Sequence, residues 1–476
     1  MSVSNAQLRG SIGVAGIVFL VVAAASPLTT VAGSLPVMIA LGNGAGAPLT
    51  YLIAAAVLLV FSVGYAAMSS AVTDTGAFYA YVTKGLGSDL GVGAAGLAIF
   101  AYATIQAGVY GLAANTIDGL VVNYGGPDLP WWVWAFALMA LVGLVGYRNI
   151  DVGAKVLGVL LVLEIVAVVA LSAAVLLKGG AHGIDFESFT PGSFFSGSPG
   201  IAMMFAIGSF VGFEATAIYS EEAKNPKRTV PLATYAAIIV IGVLYAIASW
   251  AVVLAFGSND IAAAAGADTA NLTFNATATY LAPWAADVMA LMLVTSLFAT
   301  LLAFHSAISR YLFALARRGY APRVLASVHG RHGSPHAGSL VQTASAAVLV
   351  GIFAIAGADP ILQLFTWMAG IAIVAILALM VLTSIAIIVY FHRSGTDTRM
   401  WHTRVAPVLG SLGLIAITFL VIQNFDTLMG GSPTVAAVFL AAAVAVFIGG
   451  IAAGRVVHVR RARALHRVDT TSDIQS

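Results

Sequence analysis

Two short stretches place groups able to hold a small polar solute inside otherwise apolar surroundings. The first is Ala25-Ser26-Pro27-Leu28-Thr29-Thr30-Val31-Ala32-Gly33-Ser34-Leu35-Pro36; the second is Ala206-Ile207-Gly208-Ser209-Phe210-Val211-Gly212-Phe213-Glu214-Ala215-Thr216. Each combines Pro or Gly with hydroxyls, and the second adds a carboxylate. Pro lacks a backbone donor and Gly tolerates sharp turns, so both stretches are predicted to interrupt helices. In a bilayer, irregular backbone survives only against protein or a hydrated cavity. Half-helix ends facing such a cavity offer N–H groups to a carboxylate and carbonyls to an ammonium or an ion. The chemistry implied is capture of a zwitterion. A kink in packed helices at Pro27 or Gly212 is the plainer alternative, because both residue types are common in membrane spans. Corresponding breaks in the two halves of the chain favour the cavity.

The elements that must position these breaks are membrane spans. Of the 476 residues, 60% are hydrophobic and 8% charged, against roughly 25% charged in soluble domains. Uncharged apolar runs of spanning length lie at about 12 to 41, 48 to 70, 91 to 114, 130 to 147, 153 to 177, 198 to 220, 231 to 257, 281 to 309, 338 to 357, 361 to 391, 405 to 424 and 433 to 454. An even number of crossings puts both termini on one side. On this map Lys178 is the one basic residue facing the opposite side, so the positive-inside rule makes both termini cytoplasmic. Asp118, Asp128, Asp185, Glu187, Asp260, Asp268, Asp359 and Asp426 fall on the outer side, with Trp131, Trp132 and Trp284 as interfacial anchors.

The two interrupted spans are the first and the sixth, and they enter the membrane from opposite sides. That is the relation of two inverted five-helix repeats. The expected fold is an all-α membrane protein with about 12 transmembrane helices: a 5+5 inverted-repeat transporter fold, discontinuous in helices 1 and 6, with two C-terminal helices. The expected organisation is a cytoplasmic N-terminus (1–11), a first repeat (12–177), a second, inverted repeat (178–391), helices 11 and 12 (392–454) and a basic cytoplasmic tail (455–476).

Composition also excludes. Without cysteine there is no disulfide, thiolate metal site or cysteine nucleophile. The net charge of +2 is not gathered on a soluble face that would suit nucleic acid. Arg9 followed by an apolar run and Ala23-Ala24-Ala25 imitates a cleaved signal, but the run continues past Pro27, which makes it a first span. The longest segment outside the spans, between Arg310 and His336, is too short for a core of its own. No acids, bases or nucleophiles cluster as an enzyme would need. His332 and His336 alone are a weak metal signal, and no charged ring suggests a channel. No cofactor is expected.

Two further segments carry a family likeness. Gly212-Phe213-Glu214 followed by Glu221-Glu222-Ala223-Lys224-Asn225-Pro226-Lys227-Arg228-Thr229-Val230-Pro231 resembles the sixth helix and cytoplasmic exit of the amino acid, polyamine and organocation permease superfamily. Arg310-Tyr311-Leu312-Phe313-Ala314-Leu315-Ala316-Arg317-Arg318-Gly319-Tyr320-Ala321-Pro322, continuing to Gly333-Ser334-Pro335, is similar to its loop after helix eight. With the span pattern, the resemblance covers nearly the whole chain.

The resemblance implies secondary active transport by alternating access, with substrate held between helices one, three, six and eight. It places Ser26, Pro27, Leu28, Thr29, Thr30, Val31, Ala32 and Gly33 at the first unwound segment. Gly208, Ser209, Phe210, Val211 and Gly212 fall at the second. Tyr102, Phe210 and Phe304 are candidate walls or gates, with ordinary packing as the alternative. Many relatives carry a coupling lysine in helix five where this chain has Glu164; Glu164 either titrates in its own right or pairs with a polar group. Glu214 is assigned to gating and cavity shape, accepting N–H groups freed in helix one. His305 is read as a packing histidine and Asp287 as an outer-interface residue. The function expected is proton-coupled import of an amino acid across the plasma (inner) membrane, with proton or sodium as coupling ion. A polyamine or other organic cation carrier of the same fold is the alternative, and it would want Glu164 or Glu214 to face the cavity.

Overall fold

A computed structural model describes residues 12–72, 77–148, 154–218, 223–329 and 334–472. Apart from an isolated bridge between Ile12 and Ala223, its regular structure is helical. Helix α1 (Val14–Ala25) leads through helical residues 29–43, which include α2 (Leu35–Met38), into a tight turn and α3 (Ala47–Ala71). There follow α4 (Ala77–Leu86), α5 (Ser88–Asn123), α6 (Trp131–Arg148), α7 (Ala154–Lys178), the short α8 (Pro191–Phe194), α9 (Pro199–Gly208) and α10 (Ala215–Ile218). The remainder comprises α11 (Pro226–Phe256), α12 (Ile261–Ala267), α13 (Leu272–Tyr280), α14 (Pro283–Arg317), α15 (His336–Ile355), α16 (Thr366–Ser394), α17 (Ala406–Gln423), α18 (Phe425–Leu428) and α19 (Pro433–Ser472).

Local sequence explains where these helices begin. Proline stands in the first turn of α3, α9, α11, α14 and α17, where its missing N–H costs nothing and its fixed φ is already helical. Ten helical segments among the described residues are long and apolar enough to cross a bilayer, and one of them, 14–69, contains a reversal near residues 42–46. The chain is a multi-pass membrane protein.

Most of α5, α11 and α16 is inside the protein, whereas α19 turns most of its surface outward. Small residues allow that packing. A Cβ on Gly111 of α5 would lie 2.5 Å from the Pro360 carbonyl oxygen, and one on Gly450 of α19 would lie 2.8 Å from the Gly93 Cα. Without a hydrophobic drive between helices in lipid, such close approach is what dispersion needs.

Among the described residues, the apolar runs read from sequence fall mainly on helices, with the run from 198 interrupted at 209–214, but several helices outlast their runs. Helix α5 continues to Asn123, α14 to Arg317 and α19 to Ser472. Hydropathy stops at the first charges, while helix formation does not. The expected tail from Arg455 is thus a continuation of α19, clasped to α5: His458 Nδ1 lies 2.6 Å from Asp89 Oδ1, and Arg455 Nε lies 3.7 Å from Asp89 Oδ2. His458 Nε2 meets the Tyr320 hydroxyl at 3.1 Å. Lys178 donates to the Tyr280 carbonyl at the end of α13 at 2.7 Å.

Candidate functional site

Helix α1 ends because Ser26 takes a left-handed backbone (φ 49, ψ 74) and Pro27 follows it. Ser26 is the one non-glycine residue with positive φ among the described residues. That conformation costs an L-residue about 1–2 kcal/mol, and the Ser26 hydroxyl helps to hold it. Its oxygen lies 2.7 Å from Ser296 Oγ, 3.2 Å from Thr29 Oγ1 and 3.3 Å from Thr300 Oγ1. The Ala25 carbonyl, without its helical partner, accepts from the Tyr245 hydroxyl at 3.0 Å. The Leu28 N–H donates to Glu164 Oε2 at 3.4 Å. Beyond the break the helix resumes with a widened, π-type stretch, Thr29–Ser34, and the Val31 carbonyl accepts from the Thr273 hydroxyl of α13 at 2.8 Å.

The second break runs between α9 and α10. Its N–H groups reach back three residues: Phe210 to Ile207, Val211 to Gly208 and Phe213 to Phe210, at 3.0 to 3.1 Å. Gly212 sits at φ 111, a conformation that side chains other than hydrogen rarely adopt. A Cβ there would also lie 2.9 Å from Ala24 Cβ, so the two breaks touch. At the other end of the pair, a Cβ on Gly42 would lie 3.0 Å from Ala202 Cβ. Contacts of Ala24 with Gly212 and of Gly42 with Ala202 make the first and sixth helices antiparallel, with their interruptions at one depth.

A cavity of about 460 Å³ opens at that junction. It is lined by Leu20, Ala23, Ala24 and Ser26 of the first helix, Tyr102 of α5, Leu161 and Glu164 of α7, and Val211, Gly212 and Glu214 of the second break. Helix α14 completes it with Thr295, Ser296, Thr300, Ala303 and Phe304. From the breaks it extends toward Phe19 and Tyr311, the direction in which the N-terminus and Arg317 lie. The rings of Tyr102, Phe304 and Tyr311 form one wall, with centroids 5.8 Å and 6.0 Å apart around Tyr102. No Lys, Arg or His lines the cavity among the described residues. An anionic group bound there would be met by hydroxyls, because the N–H groups of Leu28 and Gly212 are already held by the two carboxylates.

The two carboxylates have distinct tasks. Glu214 was expected to hold N–H groups of the first helix. Instead its Oε2 accepts from the Gly212 N–H at 2.8 Å and its Oε1 from the Tyr102 hydroxyl at 3.5 Å, because the turn folds the side chain back on its own loop. Glu164 holds the first helix, through the Leu28 N–H, and also accepts from the Ser296 hydroxyl.

Of the residues singled out in the sequence, Ser26, Tyr102, Glu164, Val211, Gly212, Glu214 and Phe304 line the cavity. Pro27, Leu28, Thr29, Thr30, Val31, Ala32 and Gly33 do not. They carry the first helix away from it, with Thr29 reaching Ser296 at 3.3 Å and Gly33 packed on Leu112. Gly208 faces Ile373 of α16. The Ser209 hydroxyl donates to the Phe205 carbonyl, and Phe210 is buried against Tyr245. Phe210 is thus a packing residue here and is not part of the cavity lining. His305 is buried with Nε2 2.7 Å from Ser339 Oγ, joining α14 to α15. Asp287 accepts from Asn123 and Tyr124 at an exposed helix end. Glu221 and Glu222 of the exit motif, and Arg331, His332 and Gly333 of the later loop, lie outside the described residues.

The profile of the amino acid permease family matches residues 16–467, a range that holds both breaks and every cavity residue named above. The chain belongs to the amino acid permease family. Among its relatives, the branched-chain amino acid permease BcaP of Bacillus subtilis (strain 168) is 22% identical over 396 residues, 80% of this chain and 81% of BcaP. The aromatic amino acid transport protein AroP of Escherichia coli O6:H1 is 29% identical over 231 residues, 46% of this chain and 49% of AroP, so that likeness spans about half of each protein. The glutamate/serine transporter AimA of Bacillus subtilis (strain 168) is 24% identical over 311 residues, 61% of this chain and 57% of AimA.

What the sequence reading of this permease missed is the hydroxyl face of α14. Ser296, Thr300 and Phe304 recur at i+4 and continue through Ala307 to Tyr311, one stripe along one helix facing the cavity. Hydroxyls at helical spacing in an apolar span were a readable signal.

Proposed function

We propose that this permease imports a neutral amino acid with an apolar side chain, together with a proton, by alternating access. The observation that carries the reading is the contact of two helix breaks over a cavity that has hydroxyls and main-chain groups at one end, aliphatic and aromatic walls, and no basic side chain among the described residues. A zwitterion suits it: the carbonyl end of α1 favours an ammonium, and the hydroxyls of Ser26, Ser296 and Thr300 can donate to a carboxylate. Leu161, Val211, Ala303 and Phe304 favour an apolar side chain, in keeping with the names of BcaP and AroP. Ser26 and Gly212 act as the substrate-facing backbone, Tyr102 and Phe304 as walls, Glu214 as the brace of the second break. Glu164 is the coupling carboxylate: a proton there would weaken its hold on the Leu28 N–H and loosen the first break.

In this reading the chain crosses the plasma membrane twelve times, with repeats 12–177 and 178–391, two trailing helices and both termini in the cytoplasm. The cavity, extending toward the terminal side, is then the inward-open one. An organic cation carrier is the second reading, favoured by the presence of both Glu164 and Glu214 at the cavity; the hydrogen bonds that already occupy these carboxylates argue against it.

Uptake of labelled leucine, phenylalanine, glutamate and putrescine into proteoliposomes, at two pH values with and without sodium, tests the proposal. Leucine or phenylalanine should accumulate with an inward proton gradient and no need for sodium. Putrescine as the preferred substrate, or accumulation that follows sodium alone, would overturn it.

A further inference from the structure

A second recess lies at the helix ends on the terminal side, away from the cavity. It holds about 320 Å³ and is bounded by Ala66 and Ala67 of α3, Lys227, Arg228 and Tyr235 of α11, and Arg399 and His402 before α17. Three fixed positive charges meet there. Asp397 offsets one of them: it lies 2.7 Å from the Arg399 guanidinium, which holds the Asp397 carboxyl below the ordinary carboxylate range.

Among the described residues the arrangement is electrostatically incomplete. Lys227 and Arg228 occupy the first turn of a 31-residue helix, which contains no acidic residue there, so like charge is placed on the positive end of the dipole. His402 Nδ1 is a buried atom without a hydrogen-bond partner among the described residues. An anion in the recess would offset the unbalanced charge of Lys227 and Arg228.

The surface leading to it says which kind of anion. On α3, Leu52 and Ala56 are exposed, and Val60 and Val63 are half-buried, forming a stripe at helical spacing that runs up to Ala67. On α11, Leu232, Ile239 and Val243 are exposed, as are Val408, Leu409 and Leu412 on α17; both helices pack against α3. Met400 and Trp401 are exposed beside the basic residues, as interfacial side chains are. An apolar strip ending at a cationic recess matches a lipid, not a soluble ion.

We propose that this recess binds the phosphate headgroup of an anionic phospholipid whose acyl chains lie along α3. Helix α11 follows shortly after α10, the far half of the broken sixth helix, so an occupied recess steadies the element next to the moving break.

The test uses the purified full chain in detergent, with bound lipid counted by native mass spectrometry and the thermal midpoint followed. Phosphatidylglycerol, phosphatidylcholine and inorganic phosphate are titrated in turn. Phosphatidylglycerol should bind and raise the midpoint; phosphatidylcholine and inorganic phosphate should not. Lys227→Gln/Arg228→Gln/Arg399→Gln should weaken phosphatidylglycerol binding on the order of a hundredfold, at about 1 kcal/mol per basic residue. Ala67→Leu, which fills the recess and keeps its charges, should weaken it as well, and decides the matter should the triple variant fail to fold. Arg317→Gln/Arg323→Gln, elsewhere on the same side, should leave it unchanged. Equal loss in that control, no loss in Ala67→Leu, or a midpoint shift reproduced by inorganic phosphate would overturn the proposal.

Discussion

Replacing Ser26 by Ala and by Gly separates the two things this residue does at the first break. Its hydroxyl makes one contact of good O–H···O length, 2.7 Å to Ser296, and two longer ones at 3.2 and 3.3 Å. The short contact dominates, and removing one partner of a buried hydrogen bond costs about 1–3 kcal/mol. Alanine loses that bond and keeps a Cβ in the left-handed conformation at φ 49, so nothing is recovered. Glycine loses the same bond but relieves a backbone cost of about 1–2 kcal/mol. The stability order is therefore wild type, then Ser26→Gly, then Ser26→Ala, with the two variants separated by about 1 kcal/mol. Thermal midpoints of the purified proteins read the stability. Leucine counterflow in proteoliposomes reads the function, which for Ser26→Ala should fall about tenfold, because 1.4 kcal/mol is a factor of ten in an equilibrium constant. An alanine variant as stable and active as wild type, or a glycine variant worse than alanine, would refute the claim that a strained, hydroxyl-clamped residue sets the break.

Gly212→Ala should abolish uptake while the protein still inserts in the membrane, since a Cβ at φ 111 meets Ala24 and the strain is on the order of 1–3 kcal/mol; normal uptake by a well-expressed variant would contradict it. Phe304→Ala opens the aromatic wall beside Tyr102, and the ratio of apparent affinities should move toward larger side chains by about tenfold, measured as competition between tryptophan and valine. With Glu164→Gln, the Leu28 contact can persist through the amide oxygen but no proton can be exchanged, so substrate binding should survive while the pH dependence of uptake flattens; an unchanged pH profile removes Glu164 from coupling. Asp89→Asn loosens the clasp on His458 and Arg455, and trypsin should cut sooner at the Arg460 end of α19.

The resemblance in the sixth helix and the two hydroxyl-rich interruptions were legible because Pro27 and Gly212 each impose a backbone exception that no neighbour can hide. Which flanking residues face the hollow was less so. Phe210 and Phe304 look alike as aromatics in membrane spans, yet one is buried against Tyr245 and the other forms the wall with Tyr102. In an interrupted helix the usual spacing no longer carries a face across the break. Beyond Pro27, side chains from Leu28 to Gly33 therefore point where the new helix axis sends them. That Glu164, and not Glu214, holds an N–H of the first helix has the same origin, because the turn at Gly212 brings the Glu214 side chain back to its own loop.

By itself the sequence determined that this chain lives in a membrane and at which points two of its helices must break. Those are consequences of apolar length and of single residues, Pro and Gly, acting on their own backbone. The tertiary structure alone decided that the breaks touch at Ala24 and Gly212, that the hydroxyls of α14 clamp Ser26, and that basic residues from two distant segments share one recess. Such facts depend on how separate helices are rotated and stacked, and that is fixed by many small packing contacts that no single stretch of sequence contains.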